Sequence, residues 1–409
     1  MFKQRIYCVR RLKLGISEQL ERLALAAGEL YSKTLVSFWR VVRKKGLWLK
    51  PASLMRWFPN NGANELHSHS ADAVVQSFFA SLQSWRQRRK ADPNAKPPRR
   101  RRRYFKVIWK SSAIKVQDGK LCLSNGKGNP PVVIPWAWGT PVQVEIGWDG
   151  QQYELRATYE VGNTSSEEEG KAENENEKRA GGVAGVDLGE VHLAAAHDGE
   201  RTYLVNGRLL RSKRRYQNKL TAKLARLLAR KKRGSRRYKQ LTCSKQKQLT
   251  KLNKQIQDIL HKQTTRLVST LHARGVQTVV IGDIRDIRRS AKYNKVANQK
   301  IHQMPSGKLR HMLTYKAKGL GLQVVLQEER YTSQKCPRCN RLHKPSGREY
   351  HCQDCAFRFH RDGVGSVNLR RKYLGQFDVP VVGVMASPIG LRYRPHIRCS
   401  SGSGSNPAT

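Results

Sequence analysis

Acidic residues are scarce in this 409-residue chain: 30 Asp and Glu stand against 79 Lys and Arg, a formal net charge of +49. Charge this unbalanced repels itself, and a polyanionic partner is the economical explanation. Long apolar runs are missing as well, and no lipidation signal is present, so nucleic acid is favoured over a membrane surface as that partner. The first residues, Met1-Phe2-Lys3-Gln4-Arg5, lack the apolar stretch of a signal peptide, and the expectation is a cytoplasmic protein. No internal repeat is evident. Cysteine is sparse, with eight in all, and in that compartment Cys8, Cys122, Cys243 and Cys399 should be free thiols.

The other four cysteines follow a pattern. Cys336-Pro337-Arg338-Cys339 is followed, after the twelve residues Asn340 to His351, by Cys352-Gln353-Asp354-Cys355. Two such knuckles can bring four thiolates around one Zn²⁺ in a tetrahedron and close a ribbon that has almost no core of its own. Polar residues fill the gap, as a metal-held segment requires. Two disulfides or a redox pair are the lesser alternative. An acid flanks the ribbon on each side, Glu329 before it and Asp362 seven positions after Cys355, as if it interrupted an active site.

Before the ribbon the chain divides by pattern. Residues 1–15 contain a short strand. Within 16–96, Leu20, Leu23, Ala24, Ala27, Leu30, Tyr31, Leu35 and Phe38 share one helical face behind Ser17, and a second helix is expected over Asp72 to Arg88. Residues 97–162 are strand-rich, with hairpins turning at Asp118-Gly119 and Asp149-Gly150. Residues 163–180 hold six glutamates in a polar run, which reads as a disordered linker and a domain boundary. The tail from about Asp378 to Thr409 also reads as unpacked.

Two basic segments stand out. Arg99, Arg100, Arg101, Arg102 and Arg103, with Tyr104 and Phe105 beside them, suit a phosphate-contacting strap. Residues 201–257 hold twenty Lys and Arg and no acid. Their leucine periodicity predicts a helical hairpin over about 207–272, turned near Arg233-Gly234-Ser235. An ordinary solvated face would alternate in sign, and this one does not. A nucleic-acid backbone along Arg226, Arg230, Lys231 and Arg233 is the expectation.

Around these helices lie the strands. Gly182 to Asp187 reads as a strand ending in an acid, followed by a glycine turn and an antiparallel partner. Val276 to Ile284 reads as a buried parallel-type strand, and Gln323 to Glu329 as another. Helix–strand alternation, interrupted by the ribbon and resumed by a helix at Asp362–Tyr373, predicts a split RNase H-like domain.

These residues together carry a resemblance. Tyr331-Thr332-Ser333-Gln334-Lys335-Cys336-Pro337-Arg338-Cys339, the second knuckle, His360-Arg361-Asp362 and Gly185-Val186-Asp187-Leu188-Gly189 resemble the TnpB proteins, which are prokaryotic, transposon-encoded and related to the type V CRISPR effectors. The resemblance implies an α/β and α+β multidomain fold. A wedge-like β-barrel (1–15 and 97–162) would carry an inserted helical recognition module (16–96). A RuvC-like nuclease (181–329 and 359–377) would be split by a zinc ribbon (330–358). It also implies a nucleoid-associated protein whose partners are a guide RNA from the transposon end and target double-stranded DNA. Two catalytic Mg²⁺ ions and one structural Zn²⁺ are the implied cofactors.

The implied nuclease site is an Asp–Glu–Asp set. Asp187 matches the first position and Asp362 the last. Where the family commonly has Glu-Asp at a strand end, this chain has Gly282-Asp283. In some members the glutamate is relocated to the segment before the ribbon, and here Glu329 is the expected replacement, with Glu328 as its rival. A site lacking its middle ligand would instead leave a guided binder that represses without cutting. A conventional transposase is the third alternative, and it would bind DNA ends without RNA.

Overall fold

The computed structural model describes residues 6–57, 65–99, 104–161, 182–284, 294–345, 347–381 and 385–395, and the chain divides into two units, 1–162 and 163–409. Arg100 to Arg103, the acidic run at 163–180 and the chain from 396 onward lie outside the described residues.

The first unit runs β1 (Ile6–Leu14), α1 (Glu18–Lys45), α2 (Pro51–Trp57), α3 (Ser68–Ala91), β2 (Val107–Lys110), β3 (Ile114–Gln117), β4 (Lys120–Leu123), β5 (Val132–Pro135), β6 (Gln143–Trp148) and β7 (Tyr153–Val161). Helix α1 buries the leucine and aromatic face read from its periodicity, and α3 meets it with Val75, Phe78, Leu82 and Trp85. The Asp118-Gly119 turn joins β3 to β4 with both residues at positive φ (50° and 68°), the geometry that lets two strands return without splaying. Strand β1 pairs with β7 along its whole length, from Ile6 opposite Val161 to Leu14 opposite Tyr153.

The expected β-barrel is not closed among the described residues. One sheet has the order β1-β7-β6-β2 and a separate one β3-β4-β5. The cause is local: a single turn of 3₁₀ helix, Ser111–Ala113, follows β2 and ends its ladder before β3 begins. Side chains from both sheets still share one core, in which Trp109 is fully buried and donates its indole N–H to Ser124 O at 2.9 Å.

The second unit runs β8 (Gly182–Asp187), β9 (His192–His197), β10 (Thr202–Asn206), α4 (Arg208–Ala229), α5 (Arg236–Ala273), β11 (Val276–Asp283), α6 (Lys295–Gln303), α7 (Ser306–Gly319), β12 (Gln323–Glu328), β13 (Glu349–His351), β14 (Arg358–His360), α8 (Arg361–Tyr373) and β15 (Ile389–Leu391). Six strands form one mixed sheet in the order β12-β11-β8-β9-β10-β15. Strands β8, β9 and β10 form an antiparallel meander, and β11 and β12 add in parallel on the far side of β8. This arrangement is consistent with a RuvC-type sheet. Strand β11 is buried along most of its length, as its unbroken apolar run requires. Helices α5 and α7 contribute Ile256, Leu260, Leu267, Leu309 and Leu313 to the core against it.

Helix α8 is buried almost throughout, from Gly363 to Leu369, and packs on β8 and β9. Its Asn368 amide donates to Thr332 O (2.8 Å) and Lys335 O (2.7 Å), tying the start of the cysteine segment to the helix. The reading of 378–409 as an unpacked tail is corrected by the structure. Residues 389–391 form β15, which extends the main sheet in parallel with β10 and buries Leu391. Tyr393 donates to Asp258 at 2.6 Å, and Arg266 to Arg392 O at 2.7 Å. Closer to α8, Arg371 bonds Phe377 O and Val379 O, and Lys335 pairs with Asp378. The Gly/Ser bias that suggested disorder belongs to residues past this strand.

Candidate metal centres

The end of β8 delivers Asp187 to the start of α8, where Asp362 sits in the first helical turn. Their approach depends on Gly365. A Cβ there would lie 2.3 Å from Asp187 Oδ2, so no other residue lets the helix ride this close to the strand end. The third acid comes from beside β11. Gly282 stands at the penultimate position of that strand, and a Cβ built on it would fall 1.8 Å from Glu329 Oε1 and 2.6 Å from its Cδ. The Glu329 carboxylate therefore fills the space that a side chain at 282 would take. It projects from the residue after β12, the parallel neighbour of β11.

Electrostatics link the three. Burial pushes Asp187 up to about 7, helped by the charge of Asp362. Burial pushes Glu329 up to about 9, with the charges of Asp187 and Asp283 adding to it. Burial works on Asp362 in the same direction. There it is outweighed by the hydrogen bond from His192 and by His360 and Arg361, and its pKa falls below the ordinary value. Asp187 feels the charge of Asp362, and Glu329 that of Asp187, although the three carboxylates are not drawn within 4.8 Å of one another as a set; within that range Asp362 is grouped with His192 and His360. Glu329 Oε1 is buried with no hydrogen-bond partner among the described residues. An orphaned carboxylate oxygen beside a second carboxylate is what a hard divalent cation fits.

The rival acid points elsewhere. Glu328 is exposed and pairs with Lys372 at 3.5 Å. Asp283 accepts from Arg310 at 3.3 Å. Two histidines that the sequence reading left without a role border Asp362: His192 Nδ1 lies 2.8 Å from Asp362 Oδ2, and His360 Nδ1 accepts from the Asp362 backbone N–H at 3.2 Å. The His-x-Asp spacing was the available signal for the second, since His360 is the N-cap of α8.

In the segment between β12 and α8 the four cysteines converge. Cys336 and Cys355 sulfurs are 3.6 Å apart and those of Cys339 and Cys352 3.4 Å, all four thiols being free and close enough to share one ion. The edge of a tetrahedron built on Zn–S bonds is about 3.8 Å, so the set fits Zn²⁺. Burial pushes the Cys336 thiol well up. Cys352 moves the other way, to about 7: burial opposes ionisation, but backbone N–H groups of Cys355 and Asp354 and a hydrogen bond with Cys339 favour the thiolate. Tyr350 is fully buried behind the cluster and donates to Gln334 O at 3.0 Å. Together with Phe359 and Val364 it makes a very small core, which a structural metal would complete.

The basic candidates are a separate feature of the surface. Helices α4 and α5 pack on one another across a turn at Gly234, and Arg226, Arg230, Lys231 and Arg233 are all exposed there. Arg99 is exposed in the first unit, at the edge of the described segment.

Parts of the chain match known families and proteins. Residues 157–288 match the family OrfB_IS605, described as "Probable transposase", and residues 307–369 match the TNB domain of Cas12f1-like proteins. Over 138 residues the chain is 31% identical to a TnpB-like protein of Methanocaldococcus jannaschii, a match covering 33% of this chain and 49% of the relative. The chain spans about half the length of that curated relative. Among solved structures, a Cas12f1–sgRNA–target DNA complex aligns over 90% of this chain and 100% of its own, with 13% identity and a TM-score of 0.36. The mini-RNA-guided endonuclease CRISPR-Cas_phi3 aligns over 94% of both chains, with 9% identity and a TM-score of 0.46. These structural likenesses are loose.

Proposed function

This chain belongs to the TnpB family, and from that premise we propose that it is an RNA-guided DNA endonuclease. A guide RNA from the transposon end directs it to double-stranded DNA beside a short flanking motif, where it hydrolyses phosphodiester bonds in the service of transposon maintenance. The observation that supports this most is the carboxylate cluster, with Asp187 and Glu329 held above the ordinary range and Glu329 Oε1 buried and unpartnered. In this reading the first unit is the wedge β-domain with its inserted helices. Residues 181–329 and 359–377 form the RuvC-like nuclease, split by a zinc ribbon at 330–358, and 163–180 are a linker.

Asp187, Glu329 and Asp362 are the residues that would hold two Mg²⁺ ions. When bound, such ions lower the pKa of water and stabilise charge at the attacked phosphate. The side chains prepare for them. His192 fixes the orientation of Asp362 through Oδ2, and Gly282 and Gly365 keep the space clear. Glu329 carries a proton at neutral pH that a cation must displace, so cation binding releases protons and strengthens as pH rises. Arg226, Arg230, Lys231 and Arg233, with the Arg99–Arg103 strap, neutralise nucleic-acid phosphates.

Sequencing the RNA that co-purifies with the protein, followed by a Mg²⁺-dependent cleavage assay, tests the proposal. Asp187→Ala, Glu329→Ala and Asp362→Ala should each abolish cutting while guided DNA binding survives. Asp283→Ala should hurt less, because Asp283 is engaged with Arg310. A wild-type protein that binds guided targets and never cuts would leave the repressor reading. A protein without RNA that joins DNA ends would be a conventional transposase, as the description of the family over 157–288 suggests.

A further inference from the structure

A cavity of about 530 Å³ opens in the second unit between the β8–β9 turn, the first half of α4, and α6. That volume is in the range of sites that enclose a small ligand. Its floor is aliphatic: Leu193, Leu210 and Met304, all buried. Its rim carries Arg208, Arg211, Arg214, Arg215 and Lys300 against one acid, Glu190, which Arg211 engages at 2.8 Å. Arg208, Arg215 and Lys300 are exposed and have no acidic partner among the described residues. Arg214 donates to Gln217 at 3.1 Å, yet its Nε is buried with no partner. Asn218 and Gln303 exchange amide hydrogen bonds of 3.1 and 2.9 Å, which hold α6 to α4 at the cavity wall.

The cavity adjoins the carboxylates. Gly189 lines it, and a Cβ built on Gly189 would lie 4.0 Å from Asp362 Oδ2. Five basic side chains against one acid leave this wall with an excess of positive charge, which suits an anionic ligand. Among the described residues no aromatic side chain lines the cavity, so these offer no stacking platform for a base. It fits instead a ligand gripped by its phosphates, with an uncharged face on the aliphatic floor. We propose that this cavity seats the nucleotide next to the scissile phosphate of the DNA strand, with Arg214, Arg215 and Lys300 on its phosphates.

The assignment rests on the nuclease reading and deepens it. Carboxylates that gather cations around one phosphate repel the phosphates on either side. Neutralising a neighbouring phosphate a few ångströms away, and fixing the strand there, is what holds the reacting one in register. The exposed hairpin arginines cannot do this, since they border neither the cavity nor Asp362.

Two measurements on the full-length protein loaded with its co-purified RNA test it. In the first, 4-thiothymidine is scanned along each strand of a target DNA bound to the Asp187→Asn variant, and photocrosslinked peptides are identified by mass spectrometry. Crosslinks in 208–218 or 296–305 are expected, and crosslinks confined to other segments overturn the assignment. In the second, Arg215→Gln and Lys300→Gln are combined; both side chains are exposed, so the fold is left alone. Cleavage should fall at least roughly tenfold with RNA and DNA affinities unchanged. Cleavage at the wild-type rate, or affinities that fall in step with it, would refute the proposal. If wild-type protein binds guided DNA without cutting, the nuclease reading fails by itself, and the crosslinks still decide what the cavity holds.

Discussion

Gly282→Ala is a small change with a large expected effect on cutting. The new Cβ would stand 1.8 Å from Glu329 Oε1, 2.6 Å from Cδ and 2.7 Å from Cγ, whereas ordinary contacts begin at 3.4 Å. The carboxylate must then withdraw by about 3.4 − 1.8 = 1.6 Å. Glu329 lies just past β12 on a flexible side chain, so the fold can yield, and the cost in stability should stay within about 1–3 kcal/mol. Position is less forgiving, because a shift of about 1 Å at a reacting centre can cost about 100-fold. Guided cleavage with Mg²⁺ should accordingly drop by about two orders of magnitude or more, with guide and target binding intact and only a modest change in melting temperature. Backbone strain does not confuse the result, since φ at 282 is not positive. Moving the acid back, in the double variant Gly282→Glu with Glu329→Gly, should recover activity above either single change. Full-rate cleavage by Gly282→Ala would sink the case for Glu329 as a metal ligand, and failure of the double variant to exceed both singles would remove the idea that the two positions are interchangeable.

Other expectations follow from the same structure. Cys352→Ser should lose zinc and loosen the segment around Tyr350, as measured by metal content and hydrogen exchange, and protein purified without chelator but lacking stoichiometric zinc would contradict the assignment. Replacing Arg226, Arg230, Lys231 and Arg233 with alanine should weaken RNA binding and flatten the salt dependence by up to about 3 in log–log slope, since each phosphate contact contributes about 0.7 for a single strand; an unchanged slope would put the RNA elsewhere. The pH dependence has a defined sign. Asp187 and Glu329 hold protons in the folded, magnesium-free protein that the unfolded chain has already released. Their contribution to stability should therefore be greatest below the ordinary carboxylate range and decline as pH rises, through about 7 for Asp187 and about 9 for Glu329. In melts of zinc-retaining protein, the stability of the wild type relative to Glu329→Gln should fall as pH rises towards about 9, and a difference that grows with pH would contradict the burial of Glu329.

How much was legible in the sequence depended on how local the cause was. The α1 face, the Asp118-Gly119 turn and the cysteine spacing are set by residues within a few positions of one another, and each could be read directly. Strand β10 was hidden because five residues, Thr202–Asn206, run straight into a basic helical pattern. Strand β15 is three residues long and exists because β10 offers an open edge to it, which no local pattern announces. The open sheets of the first unit turned on one 3₁₀ turn that composition does not reveal. At the carboxylates, Gly282 was visible only as a departure from a family pattern. That Glu329 and not Glu328 turns towards it depends on where β12 stops. The basic cavity was not legible, since it joins residues about 80 positions apart through α6, an element with no strong signal of its own.

On the proposed nuclease reading, the placement of α8 and β15 in the chain bears on when the protein could cut DNA. Asp187 is synthesised 362 − 187 = 175 residues ahead of Asp362. The sheet that carries the first acid is finished only when residues 389–391 reach its edge. At about 5–20 residues per second, a ribosome needs about 10–35 s to cover the gap between the two aspartates. In the second half of that interval the basic hairpin at 208–273 has been synthesised, while the helix that brings the last carboxylate does not yet exist. Long-range closure of this kind is slow to form and late by construction. On that reading a nascent or prematurely terminated chain would bind without being able to cut, and the order of synthesis would act as a timer that puts capture before cleavage.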